Sequence, residues 1–381
     1  MTVLYVAHKP PVPNVDGGTF AMKQFADALT SVIKADAFVL ATHKHPFTNE
    51  TKEYLQTQFQ SSNFEQIDTE IRTFPFLLSL FSGTSYILQR FKSQKLKDQL
   101  TKRKYDLIVC DSLFSLYAVL EANPQIDTKL WLRSHNVEFI NWTTLSKQQS
   151  SIKRFLYKIQ AKRLKKKELE LISKVDINFC ISSDDEHVFN SLLPNVKTKL
   201  LPITVETNPI TISTGPECFF LGSKNWGPNI DSVNYLFECW KDPEFQKHKL
   251  TIAGGFNEFF SSAQIPDGIE LLGRVENVSE FMAEKGILVA PSFSGSGIKV
   301  KVLEALGNGI PVVTTDFGAQ GIGEESGLIV VKNKQETLKA IEHLKLDRDY
   351  FQSVSTQGKT YIQKKHSFAA VKAILTEAFG R

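Results

Sequence analysis

Residues 287–313 read ILVAPSFSGSGIKVKVLEALGNGIPVV, and their pattern decides the fold. An apolar run is followed by small residues, then by a helical stretch, and then by a second apolar run. This order predicts a buried strand, a loop, a helix and a neighbouring parallel strand. The glycines of the loop would let a bulky anion approach the backbone, where the first N–H groups of the helix can bind it. A pyrophosphate fits such a turn.

Short apolar runs alternate with helical stretches along the whole chain. Because the runs are apolar throughout, they indicate parallel strands covered by helices on both faces. The predicted strands are Val3–Ala7, 37–40, 107–110, 129–133 and 177–181 in the first half, and 218–222, 250–255, 269–273, 287–292, 311–315 and 328–331 in the second. Residues 201–215, which are rich in Pro, Thr and Ile, are interpreted as a linker.

The predicted fold class is therefore α/β, with two Rossmann-like, doubly wound domains facing each other across a cleft. A chain of 381 residues suits two such domains. We expect an N-terminal domain over residues 1–205 and a C-terminal domain over residues 206–360. Residues 361–381 are expected to form a helix that packs back on the N-terminal domain.

Composition favours a chain that works inside the cell. The four cysteines are scattered and form no C-x-x-C pair, which is typical of a reducing compartment. The N-terminus lacks the basic start of a signal peptide, and no apolar run approaches the roughly 18 residues of a membrane span. We therefore expect a cytoplasmic protein. Its N-terminal half is the more basic, with eight Lys and Arg residues between Lys153 and Lys167.

Helical spacing sorts the side chains that follow the glycine loop. Gly297, Lys301 and Glu304 are spaced i, i+4 and i+7, which predicts that they share one helix face. Lys301 would then lie one turn from the phosphates, and Glu304 would lie at the distance of a ribose, where a carboxylate can accept from two hydroxyls. Lys299 would point roughly 140° away from Glu304. The competing interpretation is an ordinary amphipathic helix with a solvated charged face.

These motifs, taken in order, resemble the retaining GT-B glycosyltransferases of group 1, also called family 4. The strongest match is Pro291-Ser292, Gly295-Ser296-Gly297, residues 303–306 and residues 309–313. Leu221-Gly222-Ser223 with residues 226–229 is similar to the opening strand and turn of that family's C-terminal domain. Residues 133–138 are similar to its histidine segment, and Gly17-Gly18 to its first glycine loop. The matched pieces span almost the whole chain.

The resemblance implies roles for individual residues. Glu304 would hold the donor ribose, and the backbone of Ser296, Gly297 and Ile298 would bind the diphosphate. Gly17 and Gly18 would close on the phosphates from the N-terminal domain. His135 would lie beside the transferred sugar and assist the reaction, the competing interpretation being a structural histidine. Loops at Gly255 and at Arg274 would flank the base.

The sequence departs from the family's usual pattern at two places. Ser296 stands where a paired glutamate is common. Ser223 and Pro228 stand where a basic pair is common, which leaves Lys224 nearby. Lys301, and less directly Lys299, are candidates to supply the missing charge. Both departures leave the sugar and the base of the donor open.

The resemblance also implies a mechanism that retains the anomeric configuration, with the leaving phosphate as base and without a metal or cofactor. The one Asp-x-Asp, Asp347-Arg348-Asp349, is interpreted as a helix start. His43-Lys44-His45 is interpreted as a polar loop rather than a metal pair.

A basic amphipathic helix is predicted over residues 152–167, with Ile152, Phe155, Leu156 and Ile159 on one stripe. The stripe either faces the protein core or contacts an anionic membrane surface that carries a lipid-linked acceptor. The apolar residues 74–81 could line an acceptor groove.

The predicted function is transfer of a hexose-type sugar from a UDP- or GDP-sugar to a glycan or lipid-linked acceptor, in surface polysaccharide or glycolipid synthesis. The partners are the donor, that acceptor and, peripherally, the inner face of a membrane. Two alternatives stay open: a non-catalytic subunit that binds nucleotide sugars, and a sugar-nucleotide epimerase. A nucleic-acid-binding protein is disfavoured because the basic run lacks interleaved aromatic residues.

Overall fold

The computed structural model describes residues 1–72, 75–76, 78–79, 85–147, 149–207, 215–294 and 297–380. The chain forms two compact units. One comprises Met1–Ile203 together with Val371–Arg381, and the other comprises Thr204–Ala370. We call them the N-terminal unit and the C-terminal unit.

The N-terminal unit contains a seven-stranded parallel sheet in the order β3-β2-β1-β4-β5-β6-β7. Its strands are β1 (Val3–Ala7), β2 (Asp36–Ala41), β3 (Ser62–Gln66), β4 (Leu107–Asp111), β5 (Lys129–Ser134), β6 (Ile177–Cys180) and β7 (Thr198–Leu200). Its helices are α1 (Gly17–Thr30), α2 (Asn49–Gln58), α3 (Tyr86–Gln89), α4 (Gln94–Lys102), α5 (Leu113–Glu121), α6 (Glu138–Lys147), α7 (Ser151–Ile172) and α8 (Ser183–Leu192).

The central strands of this sheet are buried on both faces. Val3 and Tyr5 of β1 pack in one hydrophobic cluster with α1, while Leu4 and Val6 pack in a second cluster with α4 and α5. Successive side chains of a strand point to opposite faces, so a strand covered by helices on both sides has to be apolar at every position. This explains why the hydroxyl of Tyr5 is the one polar side-chain group in β1.

The C-terminal unit contains a six-stranded parallel sheet in the order β10-β9-β8-β11-β12-β13. Its strands are β8 (Glu217–Leu221), β9 (Leu250–Ala253), β10 (Ile269–Leu272), β11 (Gly286–Ala290), β12 (Val312–Thr314) and β13 (Ile329–Val330). Its helices are α9 (Gly227–Trp240), α10 (Pro243–Gln246), α11 (Val278–Lys285), α12 (Val300–Gly307), α13 (Lys334–Leu346) and α14 (Arg348–Lys365).

Both sheets are doubly wound about their first strand. The chain leaves β1 toward β2 and β3 and then returns to place β4 on the other side of β1, and the same crossover separates β8 from β11. At such a switch point the loops after the two central strands diverge and leave a crevice at the carboxyl edge of the sheet, where ligands bind. The crevices of interest therefore lie after β1 and β4, and after β8 and β11.

Each strand predicted from sequence is confirmed, with bounds that shift by one or two residues, and so is the α/β class. The edge strands β3 and β7 were missed. Their sequences, SNFEQ and TKL, are half-exposed and polar, so they lack the apolar run that marks a buried strand.

The C-terminal residues pass from one unit to the other at a later position than the predicted residue 361. Residue 360 falls inside α14, which continues to Lys365 in the C-terminal unit. A last helix, α15 (Phe368–Ala378), buries Val371 and Leu375 in the hydrophobic cluster that also contains Trp131 of β5. In the part of the chain that the structure describes, no helix combines the length and the apolar character needed to span a bilayer.

Candidate active site

The helix that follows β11 begins later than the sequence suggested. Gly297 has φ +68°, a left-handed conformation that favours glycine, and Lys299 is the N-cap of α12. The prediction that Gly297, Lys301 and Glu304 share one helix face is therefore wrong for Gly297, which lies in the loop before the helix. Gly295 and Ser296, including the predicted contact of Ser296, lie outside the described residues.

Two lysine side chains near this loop are partly buried. Lys299 donates to the carbonyl of Gly297 at 2.8 Å, and its Nζ lies 4.8 Å from the ring centre of Phe317. Burial lowers the pKa of Lys299 to about 8. The side chain of Lys299 thus folds back over the turn that it caps.

Lys301 reaches the end of another strand. Its Nζ donates to the carbonyl of Leu221 at 2.9 Å and to Oδ1 of Asn229 at 3.1 Å, and it lies 4.0 Å from the ring centre of Phe220. Burial, and then the nearby charge of Lys299, lowers the pKa of Lys301 to about 7. Its ammonium therefore lies at the carboxyl end of β8, beside the positions where the sequence lacks a basic pair.

Glu304 is the third ionisable group of α12. Burial raises the pKa of its carboxyl to about 7. No salt bridge or side-chain hydrogen bond joins this carboxyl to another residue within the described ranges. A half-buried carboxyl in this state is suited to accept hydroxyl donors from a ligand.

The other predicted donor residues of this unit follow neighbouring strands. Lys224, after β8, forms a salt bridge with Glu258. Gly254 and Gly255, after β9, have φ +124° and +86°, and a Cβ on Gly254 would lie 1.8 Å from the carbonyl oxygen of Gly222. Only glycine allows the two loops to approach so closely. Arg274 is exposed after β10, and Ile298 is buried in the loop that precedes α12.

In the N-terminal unit, a buried network surrounds Asp111 at the end of β4. Its carboxylate accepts from the Arg133 guanidinium at 2.9 Å, from Nε2 of His135 at 2.6 Å and from the hydroxyl of Tyr5 at 2.7 Å. Burial alone would raise the pKa of Asp111, but the positive charge of Arg133 and the hydrogen bonds from His135 and Tyr5 outweigh it and hold that pKa well below its ordinary value. Asp111 is therefore a fixed negative charge.

His135 is held in one orientation by this carboxylate. Since an ionised carboxylate only accepts hydrogen bonds, we assign the imidazole proton to Nε2, which leaves Nδ1 with a free lone pair. Burial lowers the pKa of His135, although Asp111 opposes the shift. The predicted catalytic histidine is thus a neutral, oriented imidazole whose side chain remains 13% exposed.

The C-terminal unit matches a known family model. Residues 215–347 match the model described as Glycosyl transferases group 1. The C-terminal unit is a group 1 glycosyl transferase domain. The recognition made from the sequence is confirmed, and the enzyme class, glycosyltransferase, is confirmed with it.

Whole-chain similarities extend this result to the fold. The chain is 25% identical over 357 residues, 89% of each chain, to an "Uncharacterized 44.6 kDa protein in cps region" of Klebsiella pneumoniae. Sucrose-phosphate synthase from Thermosynechococcus elongatus has a TM-score of 0.67 at 13% identity, covering 100% of this chain and 98% of its own. Anabaena Alr3699/HepE, solved with UDP-glucose, has a TM-score of 0.66 at 14% identity, covering 100% and 99%. The fold of this glycosyltransferase is that of the GT-B enzymes.

The glycine pair of the glycosyltransferase lies in a helix rather than in a loop. Gly17 and Gly18 open α1, and the N-cap Asp16 accepts from the N–H of Thr19 at 2.7 Å. Lys9 and His45 both contact the Asp16 carboxylate, at 2.9 and 3.0 Å. The predicted glycine loop is thus corrected to a helix N-terminus, which also presents N–H groups to an anion.

Sequence reasoning assigned no role to Tyr5, His8 or Asp111. His8 follows β1, its ring centre lies 5.6 Å from that of His135, and burial lowers its pKa to about 3. The available signal was a polar residue at or directly after the end of an apolar strand, which applies to His8 and Asp111 but not to His135, since β5 itself ends in Arg133 and Ser134.

The two alternative metal motifs have other roles. Asp347 is the N-cap of α14 and accepts from the N–H of Tyr350 at 2.8 Å, so the predicted helix start is confirmed. His45 pairs with Asp16. Among the residues that the structure covers, no group of three or more His, Cys, Asp or Glu side chains is arranged to hold a metal ion.

The basic helix α7 exposes much of its apolar stripe. Ile152 and Phe155 are 77% and 64% exposed, and the buried face of the helix lies further along, at Leu164 and Leu171. The interpretation that the whole stripe faces the core is therefore wrong for its first two residues. Of residues 74–81, Phe76 is buried against Tyr157 of α7, while 74, 77, 80 and 81 lie outside the described residues.

Proposed function

We propose that this glycosyltransferase moves a hexose from a UDP- or GDP-sugar to a glycan or lipid-linked acceptor, with retention and without a metal or cofactor. The observation that carries the proposal is the charge arrangement on one short segment. Glu304, Lys299 and Lys301 are largely withdrawn from water, yet no salt bridge joins them within the described residues. Charged groups are costly to bury unless they find partners. A nucleotide diphosphate offers hydroxyl donors to the carboxyl and phosphate oxygens to the ammonium groups.

Donor binding follows from the backbone around α12. The left-handed Gly297 turns the chain so that its N–H groups and those of Ile298 and the first helical turn are available to the diphosphate. Glu304, one turn further along the helix, is assigned to the two ribose hydroxyls. Lys301 supplies positive charge at the end of β8, where group 1 glycosyltransferases commonly have a basic pair.

The positive charges of this site also explain how it would lower the activation barrier to sugar transfer. The bond between the anomeric carbon and the diphosphate breaks, and negative charge builds on the leaving oxygen. Backbone N–H groups and the two lysines stabilise that charge without having to reorganise. The acceptor oxygen attacks the same face of the sugar, and its proton passes to the departing phosphate. The anomeric configuration is then retained.

His135 is assigned to the transferred sugar. As a neutral imidazole oriented by Asp111, it offers Nδ1 as an acceptor to a sugar hydroxyl and adds no positive charge that would compete with the oxocarbenium-like sugar. The buried Asp111–Arg133 pair holds the ring in this orientation.

The relatives direct the choice of donor and acceptor. Anabaena Alr3699/HepE was solved with UDP-glucose, which makes UDP-glucose the first donor to test. The Klebsiella pneumoniae relative is named for a cps region, which supports a role in surface polysaccharide synthesis. The exposed Ile152 and Phe155, among the cations of α7, support peripheral contact with an anionic membrane that carries the acceptor.

A panel of UDP-, GDP- and ADP-sugars tests the proposal, with thermal stabilisation and slow donor hydrolysis as readouts. Glu304→Gln should weaken the binding of the preferred donor by about 10- to 100-fold, because a charge-assisted contact to the ribose is lost. Glu238→Gln, an exposed carboxyl on α9, is the matched control and should leave affinity unchanged. If no nucleotide sugar stabilises the wild-type protein, the proposal fails. If donors bind but are never turned over with any acceptor, the chain is a binding subunit.

A further inference from the structure

A cavity of about 570 Å³ lies in the N-terminal unit, among α3, α5 and α7. Its position differs from that of the Asp111 network, because Tyr117 and Glu121 line it from the second half of α5, which runs away from the carboxyl edge of the sheet. None of the residues assigned above to the donor or to the transferred sugar lines it. The cavity therefore needs an explanation of its own.

The cavity carries a strong excess of positive charge. Five cations and two carboxylates line it, which leaves a net charge of +3. Both carboxylates already have partners: Glu121 pairs with Lys92 at 2.7 Å, and Glu170 pairs with Lys167 at 2.9 Å. Lys162 and Lys166 have no salt bridge within the described residues. They are spaced i, i+4 on α7, so their like charges repel each other until an anion binds.

A buried hydroxyl in the wall of the cavity also lacks a partner. Ser85 is 4% exposed and lines the cavity, and its Oγ makes no hydrogen bond in the described part of the chain. A buried polar atom without a partner is unfavourable, and a ligand oxygen would relieve it. Cations and a hydroxyl donor on one wall are suited to an anion with several acceptor oxygens.

The helix that lines the cavity also carries an apolar path toward it. Ile152, Phe155, Ile159, Lys162 and Lys166 follow one another at spacings of three and four residues, so they form one stripe along α7. The first two are exposed, and the last three line the cavity. At 1.5 Å per residue, Phe155 lies about 16 Å from Lys166 along the helix axis. The stripe is thus apolar at one end and cationic at the other.

We propose that this cavity binds the phosphate of a phosphomonoester lipid, whose hydrocarbon chain lies along Ile152 and Phe155. The phosphate dianion matches the excess charge, and its oxygens accept from Lys162, Lys166 and the Ser85 hydroxyl. This inference rests on the proposed function only where it places the enzyme at a membrane. It does not depend on the donor or on the transfer step.

Binding of the full-length protein to phosphatidylcholine vesicles tests the proposal. The vesicles contain either phosphatidic acid, a phosphomonoester, or phosphatidylglycerol, a phosphodiester, at equal surface charge. Wild-type protein should bind the phosphatidic acid vesicles more tightly. The double variant Lys162→Gln/Lys166→Gln should lose about 30-fold in affinity for them.

The matched control is Lys153→Gln/Lys158→Gln, which removes the same charge from exposed positions of α7 outside the cavity. It should lose a comparable affinity for both kinds of vesicle and keep the preference for phosphatidic acid, because these residues lie off the stripe. A preference for phosphatidic acid that both double variants retain, or that both lose, would mean diffuse attraction to the membrane and would overturn the proposal. Competition by inorganic phosphate as strong as by the lipid would assign the cavity to free phosphate instead.

Ser85→Ala gives an independent check on the cavity itself. Its Tm without ligand should equal or exceed that of the wild type, and its affinity for phosphatidic acid vesicles should fall about fivefold. A lower Tm would show that the hydroxyl is already satisfied inside the protein, which contradicts the argument. Donor hydrolysis by Lys162→Gln/Lys166→Gln should match the wild type. A wild-type protein that binds the vesicles as expected but turns over no nucleotide sugar would leave this inference standing and remove the proposed function.

Discussion

The two switch points of this glycosyltransferase place a carboxyl group in opposite electrostatic surroundings. In the N-terminal unit, Asp111 accepts from Tyr5, Arg133 and His135, and its pKa is held well below the ordinary value. In the C-terminal unit, the half-buried carboxyl of Glu304 has no such partner among the described residues, and its pKa is raised to about 7. The first carboxylate is stabilised by the folded protein, whereas the second is destabilised by it.

This difference between the two carboxyl groups indicates that the two switch points have different functions. Hydrogen bonds made within the protein fix the position of a side chain, here His135, and leave its Nδ1 available to a ligand. Charges that are buried without partners lower the stability of the free protein and regain their interactions when a ligand of opposite character binds. The N-terminal switch point is therefore suited to orientation, and the C-terminal one to ligand capture.

The largest expected effect comes from the residue that the network orients. His135→Gln should lower the rate of sugar transfer by about 100- to 10,000-fold, because the oriented imidazole is lost from the transition state. Affinity for the nucleotide-sugar donor should stay within about twofold of the wild type, as measured by thermal shift or calorimetry. His187→Gln, an exposed histidine on α8, is the control. A His135→Gln enzyme with normal turnover would reduce this histidine to a structural role.

Removal of the charge at the centre of the network should mainly affect folding. Asp111→Asn leaves the Arg133 guanidinium buried without its counter-charge, so the free energy of unfolding should fall by about 3–5 kcal/mol. Urea unfolding measures this loss. Glu244→Gln breaks an exposed pair with Lys247 and should leave stability unchanged. A small effect of Asp111→Asn would contradict the contrast between the two switch points.

The same type of substitution should have the opposite sign in the C-terminal unit. Glu304→Gln removes a carboxyl whose pKa is raised from its ordinary value to about 7. The folded state prefers the protonated carboxyl, so its contribution is fully present below the unfolded pKa, near 4.5, and is lost as the pH rises through 7. At pH 8, Glu304→Gln should therefore stabilise the donor-free protein by about 1–2 kcal/mol.

The control for this prediction is built into its pH dependence. At pH 4.5 the wild-type carboxyl is largely protonated when folded, and the advantage of Glu304→Gln should vanish in urea unfolding. An advantage that persists unchanged at pH 4.5 would have to come from packing. A destabilised variant at pH 8 would mean that Glu304 has a favourable partner in the donor-free protein.

The sequence alone predicted the strands at both switch points. It did not predict the Asp111 network of the N-terminal unit. Strands β1 and β4 are apolar at nearly every position because helices cover both faces, and this pattern is visible in one dimension. Tyr5, Asp111 and His135 are far apart in sequence, and they meet only because the strand order is β1-β4-β5. Strand order depends on crossovers that residue patterns do not encode locally.

The start of α12 shows a second kind of limit. Helical spacing correctly associated Lys301 with Glu304, but it also included Gly297, whose left-handed backbone precedes the helix. A glycine is compatible with both conformations, so its identity does not decide between them. The contacts of Lys301 were not predicted either: its Nζ is bonded at the end of β8 by Leu221 and Asn229. Such long-range contacts require the folded structure.

The smallest expected effect is a change in the direction of proton exchange when the donor binds. Ribose hydroxyls favour the ionised form of Glu304, so below its pKa of about 7 binding should release protons. Phosphate oxygens favour the charged forms of Lys301 and Lys299, whose pKa values are about 7 and 8, so above pH 7 binding should take protons up. Calorimetry in buffers of different ionisation enthalpy measures this quantity, which should stay below about one proton released at pH 6 and below about 1.5 protons taken up at pH 8. Glu304→Gln should abolish the release at pH 6 and leave the uptake at pH 8, while Lys301→Met should reduce the uptake and leave the release. Proton exchange of one sign from pH 6 to pH 8 would mean that the carboxyl and the ammonium groups do not share one ligand, and the assignment of this loop to a nucleotide diphosphate would have to be abandoned.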